Sequence, residues 1–415
     1  MTVTVVRPSM KISRTVSGIP QALSIYFNQI VYDLKRRGED ITTLSLGEAF
    51  FDLPLLDFKT LDLSKAFHYS DSQGLPEMRQ AIAGYYGRLY GAKVDHKEEV
   101  LISVGSKAII FLAMMTALDP GDEVVIHEPA WLSYPEQARL VGAVPRFIPY
   151  DVAVADFPRH FTAATRMMIV CNPNNPAGRV YSEGELGQLY AACRARGIYL
   201  LVDEAYSDFV LDDSFVSMAR IAPIKDGVIV VNSISKNMGI SGWRIGYAIS
   251  HPQFIRNLLK VNQHTVTCAP TILLQYCAQY FDQLLEITLP QVREVVTKRK
   301  RVAAMMDELG IPRLPGSSTF YLFGHVGNFP ASSMEFCLSL LINSQIAVVP
   351  GSAYGPSTER FVRISIGTES EERIWNALLL IRDRSRRNSF DTGALYRRMA
   401  EMRIALPSGE LPTVG

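Results

Sequence analysis

Ile198-Tyr-Leu-Leu-Val-Asp203 and Gly227-Val-Ile-Val-Val-Asn232 are short, mostly apolar runs that each end in a polar residue. From Glu98 onward, runs of this kind alternate with longer segments in which apolar residues recur every three or four positions. That alternation is typical of a mainly parallel β-sheet covered by helices. It predicts a doubly wound α/β fold with its ligand site at the carboxyl ends of the strands.

The same pattern places the individual elements of this domain. The predicted strands are Val100–Val104, Glu123–His127, Met167–Cys171, Ile198–Asp203, Gly227–Asn232 and Arg244–Ser250. The predicted helices are Lys107–Leu118, Trp131–Val141, Glu183–Arg196 and Pro252–Gln263.

After Pro290 the pattern changes, which indicates a second, smaller α+β domain. Its predicted helices are Gln291–Leu309, Ser333–Asn343 and Glu371–Arg384, and its strands are Thr319–Phe323, Ile346–Val349 and Phe361–Ile366. An N-terminal helix near Ser24–Arg37 is expected to join it. We therefore expect a large domain over residues 46–290, a small domain over 1–45 and 291–384, and a C-terminal extension over 385–415. The extension is either a surface helix with a loose tail, or a lid or oligomer contact.

Composition narrows the class of protein. The 415 residues are 48% hydrophobic and 20% charged with a net charge of +1, which disfavours nucleic-acid or membrane-surface binding through bulk charge. The longest apolar stretch, residues 108–118, is shorter than the roughly 20 residues of a membrane helix. Residues 1–14 lack the apolar core of a secretory signal. The five cysteines show no CxxC spacing, so we expect buried thiols in a cytoplasmic protein and no metal site.

Two charged residues at strand ends, an acid and a lysine, indicate a candidate catalytic site. Asp203 closes a buried strand, where a carboxylate needs a cationic partner such as a pyridinium N–H, although a helix cap is an alternative interpretation. Lys236 follows another strand among small residues, where partial desolvation would let its neutral amine form a Schiff base. Ser233 and Arg244 nearby suit a phosphate dianion. The alternative is a solvated loop lysine.

Three further features fit the same ligand. Gly105-Ser106-Lys107 joins a strand to a helix, and the free N–H groups at such a junction bind anions. Asn175 follows a strand in a stretch with two Asn-Pro pairs that presents its amide toward a ring oxygen, unless the stretch is only a turn. Trp131 is placed to stack on a ring or simply to pack. Together these features are the groups that a binding site for pyridoxal phosphate needs.

From about Leu46 to Arg382 the chain resembles the class I/II aminotransferases, the fold-type I enzymes that depend on pyridoxal phosphate. The resemblance implies a mainly parallel seven-stranded sheet sandwiched by helices, a smaller α+β domain and a homodimer. The motifs that carry it are Leu46-Gly47-Glu48, Tyr69 with Gly74-Leu-Pro-Glu-Met-Arg79, Asp119-Pro-Gly-Asp-Glu-Val, Asn172 to Gly178, Asp203-Glu-Ala-Tyr206, Ser235-Lys236 with Gly242-Trp-Arg244, and Phe361-Val-Arg363-Ile-Ser.

The resemblance also implies residue roles. Lys236 would form the Schiff base and move the substrate proton, Asp203 would pair with the ring nitrogen, and Asn175 and Tyr206 would bond the ring oxygen. The other residues implied for the cofactor are Gly105, Ser106, Lys107, Trp131, Ser233, Ser235 and Arg244, with Tyr69 reaching across from the second copy of the dimer. The residues implied for the substrate are Arg363 and Gly47 at its α-carboxylate and Lys107 at a distal carboxylate. Asn175 is also implied for substrate binding.

The implied activity is a ping-pong transamination between an α-amino acid and a 2-oxo acid. Lys107 favours an acidic donor such as aspartate or glutamate, and a solvent-facing lysine is the competing interpretation. A β- or γ-elimination lyase or a synthase on the same scaffold is the alternative enzyme. A cofactor-sensing regulator is disfavoured, because no helix-turn-helix pair with a basic face precedes Leu46. Ala49 and Ala177 depart from the family's usual proline and threonine, which suits a specialised biosynthetic enzyme.

Overall fold

The predicted central sheet is present and has seven strands in residues 10–212 and 215–412, the parts of the chain that this computed structural model describes. All strands of the described residues are β1 (Thr42–Thr43), β2 (Val100–Ser103), β3 (Glu123–His127), β4 (Val144–Ile148), β5 (Thr165–Cys171), β6 (Tyr199–Asp203), β7 (Val228–Ser233), β8 (Gly246–Ser250), β9 (Tyr321–His325), β10 (Ile346–Ala347), β11 (Val349–Pro350) and β12 (Phe361–Ser365).

Helices account for most of the remaining regular structure. They are α1 (Arg14–Ser17), α2 (Leu23–Arg36), α3 (Leu63–Ala66), α4 (Pro76–Tyr90), α5 (Ser106–Ala117), α6 (Ser133–Leu140), α7 (Glu183–Arg194), α8 (Met218–Ile221), α9 (Ile234–Asn237), α10 (Pro252–Thr265), α11 (Thr271–Gln279), α12 (Phe281–Glu308), α13 (Ser333–Ser344), α14 (Glu371–Ser385) and α15 (Thr392–Glu401). Short 3-10 turns lie at Phe58–Thr60, Val154–His160, Ser241–Trp243, Gly351–Tyr354 and Pro356–Thr358.

The main sheet has the strand order β2-β8-β7-β6-β5-β3-β4. The pairs from β7 to β4 are parallel, and β8 is antiparallel to both of its neighbours. Because two reversals cancel, β2 runs in the same direction as β7. The carboxyl ends of β2, β3, β5, β6 and β7 therefore meet at one edge of the sheet, which confirms the α/β class predicted from the sequence.

Burial on both faces explains why the strands read as continuous apolar runs. In β7, Val228 and Val230 belong to one buried hydrophobic cluster, whereas Ile229 and Val231 belong to another. Side chains alternate between the two faces of a strand, so these clusters lie on opposite sides of the sheet. Parallel sheets covered by helices on both sides show this pattern.

The strand β4 was not identified from the sequence. Val144 and Arg146 in this strand are exposed, Pro145 and Phe147 are half-buried, and Ile148 is buried. The strand lies at the edge of the sheet. Pro145 lacks a backbone donor, and Arg146 is charged. Both residue types are tolerated at an edge but are atypical of a central strand. The sequence of β4 therefore does not show the continuous apolar run by which the other strands of this sheet are predicted.

The predicted start of a helix at Gln291 was wrong, because α12 begins at Phe281 and continues through Pro290. Proline inside a helix removes one hydrogen bond and costs about 3 kcal/mol. Leu284, Leu285 and Val292 are buried on either side of the proline. Burying apolar side chains of this size stabilises by about 2 kcal/mol each, which offsets that cost.

The C-terminal part of the chain forms most of two small sheets that are separate from the main sheet. Strands β11, β12 and β9 pair antiparallel in that order, and β1 pairs parallel with β10. Helix α2 packs against β10 and β11, so the N-terminal segment meets this part of the chain. We propose the division into a large domain (46–290) and a small domain (1–45 and 291–384) on these contacts.

The segment after α14 folds back onto the body of the protein. Helix α15 packs on α13, and Leu395 and Met399 are buried. The Tyr26 hydroxyl in α2 donates to the Ala405 carbonyl oxygen at 2.7 Å, and Ile404 is also buried. The helix of the proposed extension is therefore at the surface, and among the residues described after it, Ala405 is bonded to α2 and Ile404 is buried.

Among residues 10–212 and 215–412, no helix combines the length and the apolar character needed to cross a membrane. The sequence prediction that residues 1–14 carry no secretory signal falls largely on residues 1–9, which lie outside the described residues. All five cysteines lie within the described residues and are free thiols.

Candidate active site

The polar motifs of the sequence meet at the carboxyl edge of the main sheet. In the strand register Cys171 pairs with Asp203, Asp203 with Val231, and Ser233 with Gly246. The loops that follow β5, β6 and β7 are thus neighbours. They place Asn175, Tyr206 and Lys236 around a common space.

Lys236 lies in the short helix α9, directly after β7. Its Nζ donates to the carbonyl oxygen of Gly47 at 2.6 Å. Burial lowers the pKa of Lys236 to about 8; the carboxylate of Glu48 raises it, and the nearby guanidinium of Arg363 lowers it further. At this pKa a substantial fraction of the amine is neutral at physiological pH, which a nucleophilic lysine requires.

Asp203 is the last residue of β6 and is buried. Its Oδ2 accepts a hydrogen bond from the Tyr134 hydroxyl at 2.6 Å, and its Oδ1 accepts one from the Ala205 backbone N–H at 3.1 Å. Burial raises the pKa of Asp203, while these hydrogen bonds and the charge of Lys236 oppose the rise. A carboxylate so placed is stabilised by any cation that enters the site.

A row of hydroxyl and amide groups lies beside Asp203 and Lys236. The Asn175 Nδ2 donates to the Tyr206 hydroxyl at 3.3 Å, and that hydroxyl lies 3.0 Å from the hydroxyl of Tyr321. The Asn175 Oδ1 is buried and has no hydrogen-bond partner within the described residues. Buried polar atoms are normally paired, so this atom indicates a place for a ligand group.

The turn before α5 and the loop after β7 form a cradle for an anion. Gly105 has a φ of +90° at the start of α5, and a Cβ built there would clash with Nη2 of Arg244. The Arg244 guanidinium thus lies directly against the glycine turn. The Ser233 Oγ is buried without a partner in the described part of the chain. Helix N–H groups, a guanidinium and a free hydroxyl suit a phosphate. Ser106 begins α5, and Ser235 is buried in α9.

Arg363 in β12 comes to the same space from the C-terminal part of the chain. Its Nη2 donates to the Ser45 carbonyl oxygen at 2.7 Å, and its buried Nε has no partner among the described residues. The guanidinium lies over the rings of Tyr321 and Tyr354, at 4.5 and 5.5 Å from their centres. A Cβ added to Gly47 would lie 3.2 Å from the Tyr321 hydroxyl, so the backbone at Gly47 also borders this region.

Three predicted site residues lie farther toward the surface. The Trp131 ring is 5.2 Å from the ring of Tyr134, which bonds Asp203. The Nζ of Lys107 lies 5.1 Å from the centre of the Trp131 ring, and partial desolvation lowers the pKa of this lysine. Tyr69 is 86% exposed on this chain.

The sequence interpretation assigned no role to Tyr134 or Tyr321, although both bond predicted site residues. Tyr134 lies three positions after Trp131, and its hydroxyl reaches Asp203 across 69 positions of sequence. Tyr321 meets Tyr206 across 115 positions of sequence. It lies near Arg363 because β9 pairs with β12 and opposes Tyr321 to Ser365. No local pattern signals either contact.

Comparisons with known proteins agree with this geometry. The family model described as aminotransferase class I and II matches residues 40–378. An aspartate aminotransferase of Thermotoga maritima is 30% identical over 382 residues, which are 90% of this chain and 98% of that protein. An aromatic-amino-acid aminotransferase 2 of Thermococcus litoralis is 29% identical over 355 residues, covering 82% of this chain and 91% of that protein.

Solved structures lead to the same family. The aspartate aminotransferase from Thermus thermophilus with maleate has a TM-score of 0.82 at 28% identity, covering 91% of this chain and 99% of that one. The buried lysine, the buried carboxylate and the anion cradle fit pyridoxal phosphate, on which these enzymes depend. The protein is therefore a pyridoxal-phosphate-dependent transaminase, and the chain belongs to the class I and II aminotransferases.

Proposed function

We propose that this site holds pyridoxal phosphate and transfers amino groups from an acidic α-amino acid to a 2-oxo acid. Lys236 would bond the aldehyde carbon, Asp203 would hold the ring nitrogen, and Asn175 and Tyr206 would donate to the ring oxygen. Trp131 covers the ring. The phosphate is held by the residues of the cradle, which are Gly105, Ser106, Ser233, Ser235 and Arg244, with Lys107 beside them.

The observation that carries this proposal is a buried lysine close to a buried carboxylate. When bound, pyridoxal phosphate supplies an electron-accepting ring that stabilises negative charge at the substrate α-carbon. Asp203 keeps the ring nitrogen protonated, because a buried carboxylate favours an adjacent cationic N–H. Lys236, with its pKa lowered to about 8, would act as nucleophile toward the aldehyde and would move the proton at the α-carbon.

Arg363 binds the α-carboxylate of the substrate in this proposal. Its guanidinium is held by Ser45 and by two aromatic rings, and its buried Nε remains available. A guanidinium can donate two parallel hydrogen bonds to a carboxylate, which fixes the orientation of the substrate as well as its affinity. The backbone at Gly47 borders the same place.

Replacing Arg363 by lysine is expected to lower kcat/KM for the amino acid by about 10- to 100-fold, mainly through KM. Lysine keeps the positive charge but cannot form the paired hydrogen bonds. The control compares each amino acid with its decarboxylated amine, which cannot use this clamp. If Arg363→Lys lowers kcat/KM equally for both, Arg363 does not bind the carboxylate.

The acidic substrate class depends on Lys107. Its Nζ lies 5.1 Å from the centre of the Trp131 ring, and in this proposal the substrate side chain extends toward it. A cation there attracts a second carboxylate. The relatives named for aspartate, and the Thermus enzyme solved with the dicarboxylate maleate, agree with this preference.

We expect Lys107→Gln to lower kcat/KM for aspartate about fivefold and to leave that for alanine within about twofold, since a partly exposed charge pair contributes about 1 kcal/mol. The measurement is the amino-acid half-reaction, in which the bound aldehyde is converted to the amine and its absorbance changes. Aspartate, glutamate, alanine and phenylalanine are each mixed with the holoenzyme. Faster reaction with alanine than with aspartate would contradict the acidic preference, and ammonia release without conversion would indicate an elimination lyase.

We also propose a cytoplasmic homodimer in which Tyr69 completes the phosphate site of the second copy. Phe50, Leu55 and Phe67, which lie near Tyr69 in sequence, are exposed, and apolar exposure of this kind is typical of an interface. Five free thiols agree with a reducing compartment. Sedimentation equilibrium tests the dimer, and a mass equal to one chain would contradict it.

A further inference from the structure

Tyr321 makes two contacts that join the cofactor side of the site to the substrate side. Its hydroxyl lies 3.0 Å from the hydroxyl of Tyr206, and the Arg363 guanidinium lies 4.5 Å from the centre of its ring. Both tyrosines are almost fully buried. A buried hydroxyl pair of this kind has a defined direction, because water is not available to exchange partners.

The neighbouring groups determine that direction. Asn175 Nδ2 already donates to the Tyr206 oxygen, and a hydroxyl has two acceptor positions and one proton. Burial raises the pKa of both phenols, so both keep their protons at neutral pH. In the proposed function the single Tyr206 proton points to the ring oxygen, so the 3.0 Å contact is a hydrogen bond in which Tyr321 donates to Tyr206. The Tyr206 hydroxyl can then donate its own proton to a third group.

We propose that Tyr321 is a positioning residue that turns the Tyr206 hydroxyl toward the ring oxygen of the bound cofactor and so tunes the protonation of the cofactor–Lys236 Schiff base. The inference rests on the proposed function, in which Tyr206 faces that oxygen. The ring oxygen shares its negative charge with the Schiff-base N–H while the proton is present. Once the proton leaves, the oxygen depends more on the hydrogen bond from Tyr206. That hydrogen bond therefore favours the deprotonated form.

The test is the variant Tyr321→Phe, which removes one hydroxyl and keeps the ring against Arg363. The protein is loaded with pyridoxal phosphate, without amino acid, and the absorbance of the bound cofactor is followed across pH. We expect the titration midpoint to rise by about half a unit to one unit, as the loss of one buried hydrogen bond implies.

Tyr354→Phe is the matched control. Tyr354 packs its ring against the same guanidinium, but its hydroxyl has no hydrogen-bond partner within the described residues. Its titration midpoint should equal that of the parent. An equal rise in both variants would overturn the proposal, because the effect would then come from the surroundings of Arg363.

A double-mutant cycle separates the remaining outcomes. In a Tyr206→Phe background, Tyr321→Phe should no longer move the midpoint, since its effect passes through Tyr206. A full shift in that background, or an unchanged midpoint in the single variant, overturns the role of Tyr321. If the parent itself binds no cofactor through Lys236, the proposed function fails instead, and the two failures are distinct.

Discussion

Lys236→Ala is expected to fold and to bind pyridoxal phosphate, yet to lose transamination by at least about a thousandfold. The variant lacks both the nucleophile for the aldehyde and the group that moves the α-proton, and the loss of a general base alone costs about 10²- to 10⁴-fold. The phosphate cradle at Gly105, Ser233 and Arg244 is untouched, so the cofactor is still held by its phosphate.

Borohydride reduction gives the direct measurement, because it fixes a Schiff base as a stable amine. Peptide masses from the reduced parent should show the cofactor on the peptide that contains Lys236, and the variant should show none. Circular dichroism checks that the variant is folded. Labelling of another lysine in the parent, or activity that persists in the variant, would contradict the assignment.

Asp203→Asn is expected to lower kcat by about a hundred- to a thousandfold with little effect on folding. An amide has no negative charge to keep the ring nitrogen protonated, and removal of a preorganised electrostatic partner costs about this much. The amide oxygen can still accept from the Ala205 backbone N–H, and the amide nitrogen can donate to the Tyr134 hydroxyl oxygen, so the local packing is retained. The measurement is the half-reaction rate with a saturating amino acid.

The adjacent acid provides a matched control. Glu204 is buried on the other side of the strand end, where Ser217 and the Met218 backbone N–H donate to it. Burial raises the pKa of Glu204 to about 8, so at pH 7 this group is mostly protonated and already resembles an amide. Glu204→Gln should therefore keep the half-reaction rate within about threefold at that pH. Equal losses in the two variants would show that general disturbance of the strand end, and not the charge of Asp203, is responsible.

Much of the cofactor side of the site follows from local patterns. Asp203 and Lys236 each come directly after an apolar run, and parallel strands bring their carboxyl ends to one edge whatever the loops between them do. The glycine at position 105 marks a strand-to-helix junction. Each feature depends on residues close together in sequence, so the sequence was sufficient to predict it.

Contacts between distant segments needed the tertiary structure. Lys236 reaches Gly47 across 189 positions, Arg363 reaches Ser45 across 318, and Tyr206 meets Tyr321 across 115. Such pairs depend on how the C-terminal sheet packs against the large one. A single sequence carries no periodic signal for that packing.

Sequence and tertiary structure thus determined different parts of this protein. The alternation of short apolar runs with segments of helical period by itself predicted the α/β class and the positions of Asp203 and Lys236 at the ends of neighbouring parallel strands, because these depend on strand and helix periodicity. Packing decided that α12 continues through Pro290, since apolar residues on both sides of the proline are buried. It also decided that Tyr134 and Tyr321 belong to the site, because a hydroxyl takes part only when the fold brings it within hydrogen-bond distance of its partner.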